Sequence, residues 1–187
     1  MAESKNNVIT HGLSGKLGDM IVFKNRSGKT YVATKPKERT GEPTENQKMH
    51  QKRFQEAVFY AKTSVTDPNI KSIYEDKATN GASAYNVAVA DFFRAPNIEV
   101  VDLSKYSGKI GDQITIRATD DFKVVELSVS IHNVDGTEVE HGHATLAANG
   151  MDWNYVATAE NTSLAGDRIV VRASDLPGNI TEETKVA

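Results

Sequence analysis

Strict alternation of apolar and polar residues dominates the second half of the chain. Two segments show it most clearly, residues 114–120 and 169–175, which share the order apolar, any residue, β-branched, Arg, Ala, hydroxyl, Asp. Because successive side chains of a strand point to opposite faces, Arg117 and Arg172 lie opposite the apolar residues of their segments. The pattern predicts two half-buried strands, each followed by a turn that an Asp begins.

The same period of two continues from residue 98 to residue 187, with turn signals such as Asp135-Gly136 between the segments. This rhythm is typical of an antiparallel β-sandwich of immunoglobulin type. Trp153 shares one face of its segment with Tyr155 and Ala157, so we expect it in the core. The predicted strands are 98–103, 113–119, 124–132, 137–146, 152–159, 168–174 and 180–186.

Between residues 44 and 96 the apolar residues recur at three- and four-residue spacing, which is typical of amphipathic helices. Short connections would make these helices neighbours in one compact unit. The predicted helices are 45–65 after the N-cap Thr44, a second one that starts at Asp67 and Pro68, and 84–94 after the N-cap Ser83.

A β-hairpin is predicted near the N-terminus, where segments 20–25 and 29–35 flank a three-residue connection. A hairpin alone is marginal in water, so its apolar side chains must pack on the helices or on a neighbouring chain. Residues 1–18 contain three glycines and are predicted to be a flexible arm or turn. Residues 35–43 are predicted to be an exposed linker.

These patterns predict an α+β protein in two parts: an N-terminal β-hairpin with a three-helix unit, followed by an antiparallel Ig-like β-sandwich. The domain boundaries that we expect are 1–42 for the arm and hairpin, 43–97 for the helical unit and 98–187 for the sandwich.

Composition excludes several classes of protein. Of the 187 residues 39% are apolar, yet no run of about 18 apolar residues could span a membrane. The chain has no cysteine, so a disulfide framework, a thiol nucleophile and a thiolate metal site are excluded. The N-terminal segment lacks the apolar region of a secretory signal. This leaves three alternatives: a cytoplasmic protein, part of a particle that is released without a signal peptide, or a chain from which a leader was removed.

The net charge of −3 is unevenly distributed. Residues 1–97 carry 15 Lys and Arg against 10 Asp and Glu, whereas residues 98–187 carry 7 against 15. This polarity would allow the basic end of one copy to meet the acidic end of another.

Several short motifs carry a family resemblance. The motifs are Ala118-Thr-Asp-Asp121, Asp135-Gly136, Trp153-Asn-Tyr155 and Ala173-Ser-Asp-Leu-Pro-Gly-Asn179. They resemble bacterial Ig-like repeats, and the resemblance covers residues 98–187. It implies an Ig-like sandwich that serves as a spacer, an adhesin or an assembly part. The N-terminal half, with Gly-Lys-Leu-Gly-Asp around Lys16, looks like uncharacterised proteins of Bacteroidota.

Two groups of residues have the chemistry of metal ligands. His141 and His143 would project from one face of a strand, but two ligands do not make a site. Hard oxygens that could gather at one end of the sandwich and bind Ca²⁺ belong to Asp120, Asp121, Asp175 and Asn179. Turn formation explains these four residues without an ion. We therefore expect no metal and no cofactor.

No catalytic motif is present, since we find no nucleophile elbow, no His-Glu metal motif, no phosphate loop and no dinucleotide fingerprint. We therefore expect a non-catalytic structural protein that self-associates or docks on a partner through its N-terminal part. The alternative is a ligand-binding module for carbohydrate, at a loop near 149–153, or for nucleic acid, although nucleic acid is the weaker expectation. The candidate partner-binding residues are Phe23, Lys24, Arg26, Lys29, Tyr31, Lys35 and Lys37.

Overall fold

The computed structural model describes residues 2–4, 7–26, 28–36, 41–79 and 81–187. Its internal contacts divide the chain into two units, Met1–Gln51 and Lys52–Ala187. The domain boundaries predicted at residues 42 and 97 stay a prediction. Among the described residues, no helix has both the length and the apolar character that crossing a membrane requires.

The N-terminal unit contains a four-stranded antiparallel sheet in the order β1-β4-β3-β2. Its strands are β1 (Ala2–Ser4), β2 (Gly15–Leu17), β3 (Ile21–Arg26) and β4 (Lys29–Thr34). The predicted hairpin is confirmed as β3 and β4. The prediction of an arm or turn over residues 1–18 missed both edge strands, because a three-residue strand is too short for its alternation to be recognised in a sequence.

Three helices follow, as predicted: α1 (Glu45–Ser64), α2 (Pro68–Lys77) and α3 (Ala84–Asp91). The side chain of Asp67 accepts hydrogen bonds from the first backbone N–H groups of α2, and Ser83 does the same for α3. Both caps satisfy donors that a helix leaves free at its start. The sequence predicts an apolar stripe on α1 that consists of Phe54, Val58, Ala61 and Val65. Ala61 is buried, but Phe54 is 53% exposed, and Ala57 is buried in addition.

Eight strands make two further antiparallel sheets, in the orders β5-β6-β10-β9 and β12-β11-β7-β8. The strands are β5 (Asn97–Asp102), β6 (Gln113–Thr119), β7 (Val124–His132), β8 (Glu138–His143), β9 (Thr145–Leu146), β10 (Asp152–Val156), β11 (Arg168–Asp175) and β12 (Ile180–Val186). The single strand predicted over 137–146 is two strands. The chain passes from one sheet to the other at Ala144, which is buried.

One hydrophobic core receives side chains from both of these sheets. Ile114, Ile116 and Trp153 contribute from one sheet, and Val129 and Ile169 contribute from the other. Trp153 is only 8% exposed, which confirms its predicted place in the core. Two antiparallel sheets around a shared core are compatible with the predicted Ig-like sandwich.

A second core joins the helices to one end of the sheets. Tyr74 of α2 and Ala88 of α3 are fully buried there, and Phe122 and Leu176 pack against the same cluster. Phe122 follows β6 and Leu176 follows β11, so two strand-end loops meet the helices at this point.

Candidate functional site

Four of the candidate partner-binding residues lie on one face of the N-terminal sheet. In the pairing of β3 with β4, Lys24 is opposite Tyr31 and Arg26 is opposite Lys29. Lys16 joins them, because it pairs with Val22, which shares a face with Lys24. We call the side formed by Lys16, Lys24, Arg26, Lys29 and Tyr31 the basic face.

Phe23 lies on the opposite side of the sheet. It pairs with Val32, and Ile21 pairs with Leu17 in β2. We call the side formed by Leu17, Ile21, Phe23 and Val32 the apolar face. None of these four side chains is buried, and Leu17 is 63% exposed. In the part of residues 1–51 that the structure describes, no apolar side chain is buried, so this sheet has no closed core of its own.

The remaining two candidates do not extend the basic face. Lys35 follows β4, and its Nζ lies 2.8 Å from Oδ1 of Asp19 in an exposed ion pair. Lys37 falls outside the described residues.

A cluster of three carboxyl groups lies where the helices meet the two larger sheets. Asp91 ends α3, Asp120 follows β6, and Asp175 ends β11. One oxygen of each carboxyl lies within 4.8 Å of an oxygen of the other two. Asp91 is 0% exposed and Asp175 is 5% exposed, whereas Asp120 is half-buried.

Hydrogen bonds hold each carboxyl in a fixed direction. The hydroxyl of Tyr74 donates to Oδ2 of Asp91 at 2.5 Å and lies 2.7 Å from the hydroxyl of Tyr60. Oδ1 of Asp120 accepts from the backbone N–H groups of residues 122 and 123, and Asp175 accepts from the backbone and side chain of Asn179. Oδ1 of Asp91 and Oδ2 of Asp120 are buried and accept no hydrogen bond from any described residue.

Burial also changes the acidity of the cluster. It raises the pKa of Asp91 to about 7, and the negative charges of Asp120 and Asp175 act in the same direction. The hydrogen bond from Tyr74 offsets part of this increase. Burial likewise raises the pKa of Asp175 above its ordinary value. Asp91 therefore holds a proton to a much larger extent near neutral pH than an ordinary aspartate does.

The structure brings together only part of the calcium-ligand set that the sequence suggested. Asp120 and Asp175 meet, but Asp121 forms an exposed ion pair with Arg94. Asn179 donates hydrogen bonds to Asp175 from its backbone N–H and from its side-chain amide nitrogen. Sequence reasoning missed Asp91. The available signal was its place on the buried stripe of α3, after Ala84, Val87 and Ala88, where a carboxyl needs a partner.

Asn179 connects the end of α3 to the sheets, and its loss should weaken this junction. Its side-chain NH₂ group lies within hydrogen-bonding distance of three acceptors: the carbonyl oxygens of Phe92 and Arg94, at 3.3 and 3.0 Å, and Oδ2 of Asp175, at 2.8 Å. We expect Asn179→Ala to lower the free energy of unfolding by about 1–3 kcal/mol, because partly buried acceptors lose their donor. Asn86→Ala, on the exposed side of α3, is the control. Equal urea midpoints for the two variants would contradict the role of Asn179.

The histidine pair lies away from this cluster. The side chains of His141 and His143 are 62% and 66% exposed, and Nδ1 of His143 lies 2.8 Å from Oε1 of Glu126. Among the described residues, neither histidine belongs to a group of three side chains with metal-binding geometry.

Comparison with known proteins gives little guidance to function. No protein-family model matches the chain, and no curated protein matches it. The chain is similar to a crystal structure of CopC from Methylosinus trichosporium OB3b, at 16% sequence identity and a TM-score of 0.35. That match covers 48% of this chain and 87% of the other. A similarity of this size adds no argument about function, and the resemblance to Bacteroidota proteins stays a prediction.

Proposed function

We propose that this chain is a non-catalytic assembly protein that binds a second copy of itself through its N-terminal sheet and presents an Ig-like domain. The observation that carries the proposal is the sheet itself, with one apolar face and one basic face. Four strands form it, yet its apolar side chains remain accessible to solvent in the described residues.

Exposed apolar area on a small sheet favours association. Leu17 is 63% exposed, and Met20, which precedes β3, is 77% exposed. Covering such side chains gains about 25 cal/mol for each Å² removed from water. A sheet without a closed core depends on this gain more than a sheet that already packs on another layer.

The distribution of charge favours a second copy of this chain as the binding partner of the N-terminal sheet. Residues 1–51 carry nine Lys and Arg against five Asp and Glu, and residues 52–187 carry thirteen against twenty. The basic N-terminal unit of one molecule is therefore complementary to the acidic unit of another. Packing by a face is favoured over strand addition at an edge, because both edge strands, β1 and β2, are only three residues long.

The strand order of the larger unit supports an Ig-like domain. Named in chain order as A, B, C, C′, D, E, F and G, its eight strands form one sheet A-B-E-D and one sheet G-F-C-C′. This is the arrangement of immunoglobulin-type sandwiches, with one additional strand. Such a domain would act as a spacer or as a binding head that the assembly displays.

Reversal of charge on the basic face should prevent self-association. We expect the wild-type chain of 20.4 kDa to form larger species at low salt and to dissociate at high salt, because salt screens exposed charges. The variant Lys24→Glu/Arg26→Glu/Lys29→Glu should remain monomeric under both conditions. The measurement is light scattering after size exclusion, at several protein concentrations.

The control changes the same number of charges elsewhere. Lys62, Lys77 and Lys109 are exposed residues of the larger unit, and their replacement by Glu should leave the association intact. A wild-type chain that stays monomeric at every concentration would contradict the proposal. If that monomer instead shifts a duplex DNA fragment at low salt, and the first triple variant does not, then the basic face binds nucleic acid.

Of the two alternatives, carbohydrate binding has less support. The candidate surface for carbohydrate is the strand-end loop near residues 149–153, which ends at Trp153. Trp153 is only 8% exposed and packs in the core between the sheets. Its ring is therefore not available for stacking.

A further inference from the structure

The carboxyl groups of Asp91, Asp120 and Asp175 have the spacing of ligands around one hard cation. One oxygen of each lies within 4.8 Å of an oxygen of the others. Calcium binds oxygens at about 2.3–2.6 Å, so two ligands of the same ion are at most about 5 Å apart. An ion between the three oxygens would lie at most about 2.8 Å from each of them, so shifts of a few tenths of an ångström would bring all three carboxylates within binding distance.

A second observation separates this cluster from an ordinary group of acidic residues. Asp91 is 0% exposed, and its Oδ1 accepts no hydrogen bond from the described part of the chain. Oδ2 of Asp120 is buried and unbonded in the same way. A buried carboxylate oxygen without a partner is costly, so both atoms need a positive group or a donor next to them.

The protein does not supply this positive group from its described side chains. Among them, no Lys, Arg or His nitrogen lies within 4.0 Å of the three carboxylates. Arg94 is close in sequence to Asp91, but its guanidinium contacts Asp121. A divalent cation would supply both the charge and the missing contacts.

We propose that Asp91, Asp120 and Asp175 bind Ca²⁺, which ties the end of α3 to both sheets of the larger unit. The three ligands come from three separate elements, α3, the loop after β6 and the end of β11. Folding brings them together, so the ion binds the folded state and stabilises it. This role differs from the sequence-based expectation of no metal, because that expectation did not include Asp91.

The test is the thermal unfolding of the full chain at pH 8, in EDTA and in increasing CaCl₂. We expect Ca²⁺ at about one hundred times its Kd to raise the Tm by about 5 °C or more. Asp91→Asn keeps the size of the side chain but removes its charge, and it should abolish the shift. Asp121→Asn, which changes the neighbouring exposed carboxyl, should retain the shift of the wild type.

A second measurement reports binding without relying on stability. Terbium(III) replaces calcium in oxygen sites and emits when a nearby tyrosine is excited, and the hydroxyl of Tyr74 lies 2.5 Å from Asp91. We expect sensitised emission from the wild type and from Asp121→Asn, displaced by excess Ca²⁺, and none from Asp91→Asn. A wild-type chain with neither a Tm shift nor emission would overturn the proposal. The charge of the three carboxylates would then be neutralised by bound protons. Equal shifts in all three chains would overturn it as well, because the ion would then bind elsewhere.

Discussion

Replacement of Gly108 by Ala should destabilise the larger unit by about 4 kcal/mol or more, which places it among the severe single substitutions. Gly108 has φ +87°, a conformation that side chains with a Cβ rarely adopt. A Cβ at this position would lie 2.3 Å from the backbone oxygen of Asn161. A backbone atom cannot rotate away as a side chain does, so one of the two loops must move.

Movement of either loop would break a buried hydrogen-bond network. The backbone N–H of Asn161 donates to the carbonyl of Gly108 at 2.8 Å. The side chain of Asn161 donates to Asp167 at 2.8 Å and to the hydroxyl of Tyr106 at 3.4 Å, and all three residues are buried. The substitution therefore exposes or orphans polar groups in addition to creating the clash.

Gly111→Ala provides the matched control. Gly111 has φ +92°, similar to that of Gly108, but a Cβ there would meet no atom within 4 Å. Gly111→Ala should therefore lower the free energy of unfolding by only about 1–2 kcal/mol, the strain of a left-handed backbone at a residue with a Cβ. Urea unfolding of both variants, followed by circular dichroism, measures the difference between them. Equal losses of stability would show that the contact with Asn161 does not constrain the fold.

Without divalent cations, the stability of the larger unit should decrease as the pH rises from about 4 to about 7. The pKa of Asp91 is about 7 in the folded protein against an ordinary value of 3.8, because burial disfavours the charged form. The folded state therefore binds this proton more tightly than the unfolded state, and the resulting stabilisation is lost as the pH approaches the folded pKa. Each unit of difference between the pKa of Asp91 in the folded and the unfolded protein corresponds to about 1.4 kcal/mol. The loss of stability over this pH range is therefore at most about 4 kcal/mol.

The neighbouring carboxyl groups around Asp91 also raise its pKa. Asp120 and Asp175 add negative charge, and the pKa of Asp175 is itself raised by burial. Burial and the neighbouring Asp91 raise the pKa of Tyr74, so its hydroxyl remains a donor over this range. Chemical unfolding in EDTA at several pH values is the measurement. Asp91→Asn should flatten the profile and exceed the wild type in stability at pH 8; an unchanged slope would exclude Asp91 as its source.

The strands of the larger unit are encoded by local pattern. Residues 114–119 and 169–174 alternate apolar and polar side chains, and such alternation specifies both the strand and its inward face. Ser83 and Asp67 likewise mark the starts of two helices through their capping chemistry. Short strands carry too few residues for a pattern, which is why β1 and β2 were missed and why the passage between sheets at Ala144 was not foreseen.

The sequence by itself determined the α+β class, the three helices, most strands, the hairpin and the separation of charge between the two ends of the chain. These properties depend on neighbours in sequence or on composition. Only the tertiary structure decided that Phe23 and Lys24 lie on opposite faces of a four-stranded sheet, and that Asp91, Asp120 and Asp175 meet. Strand pairing and the packing of α3 on the sheet ends bring together residues that are far apart in sequence. A local sequence pattern does not predict such long-range contacts.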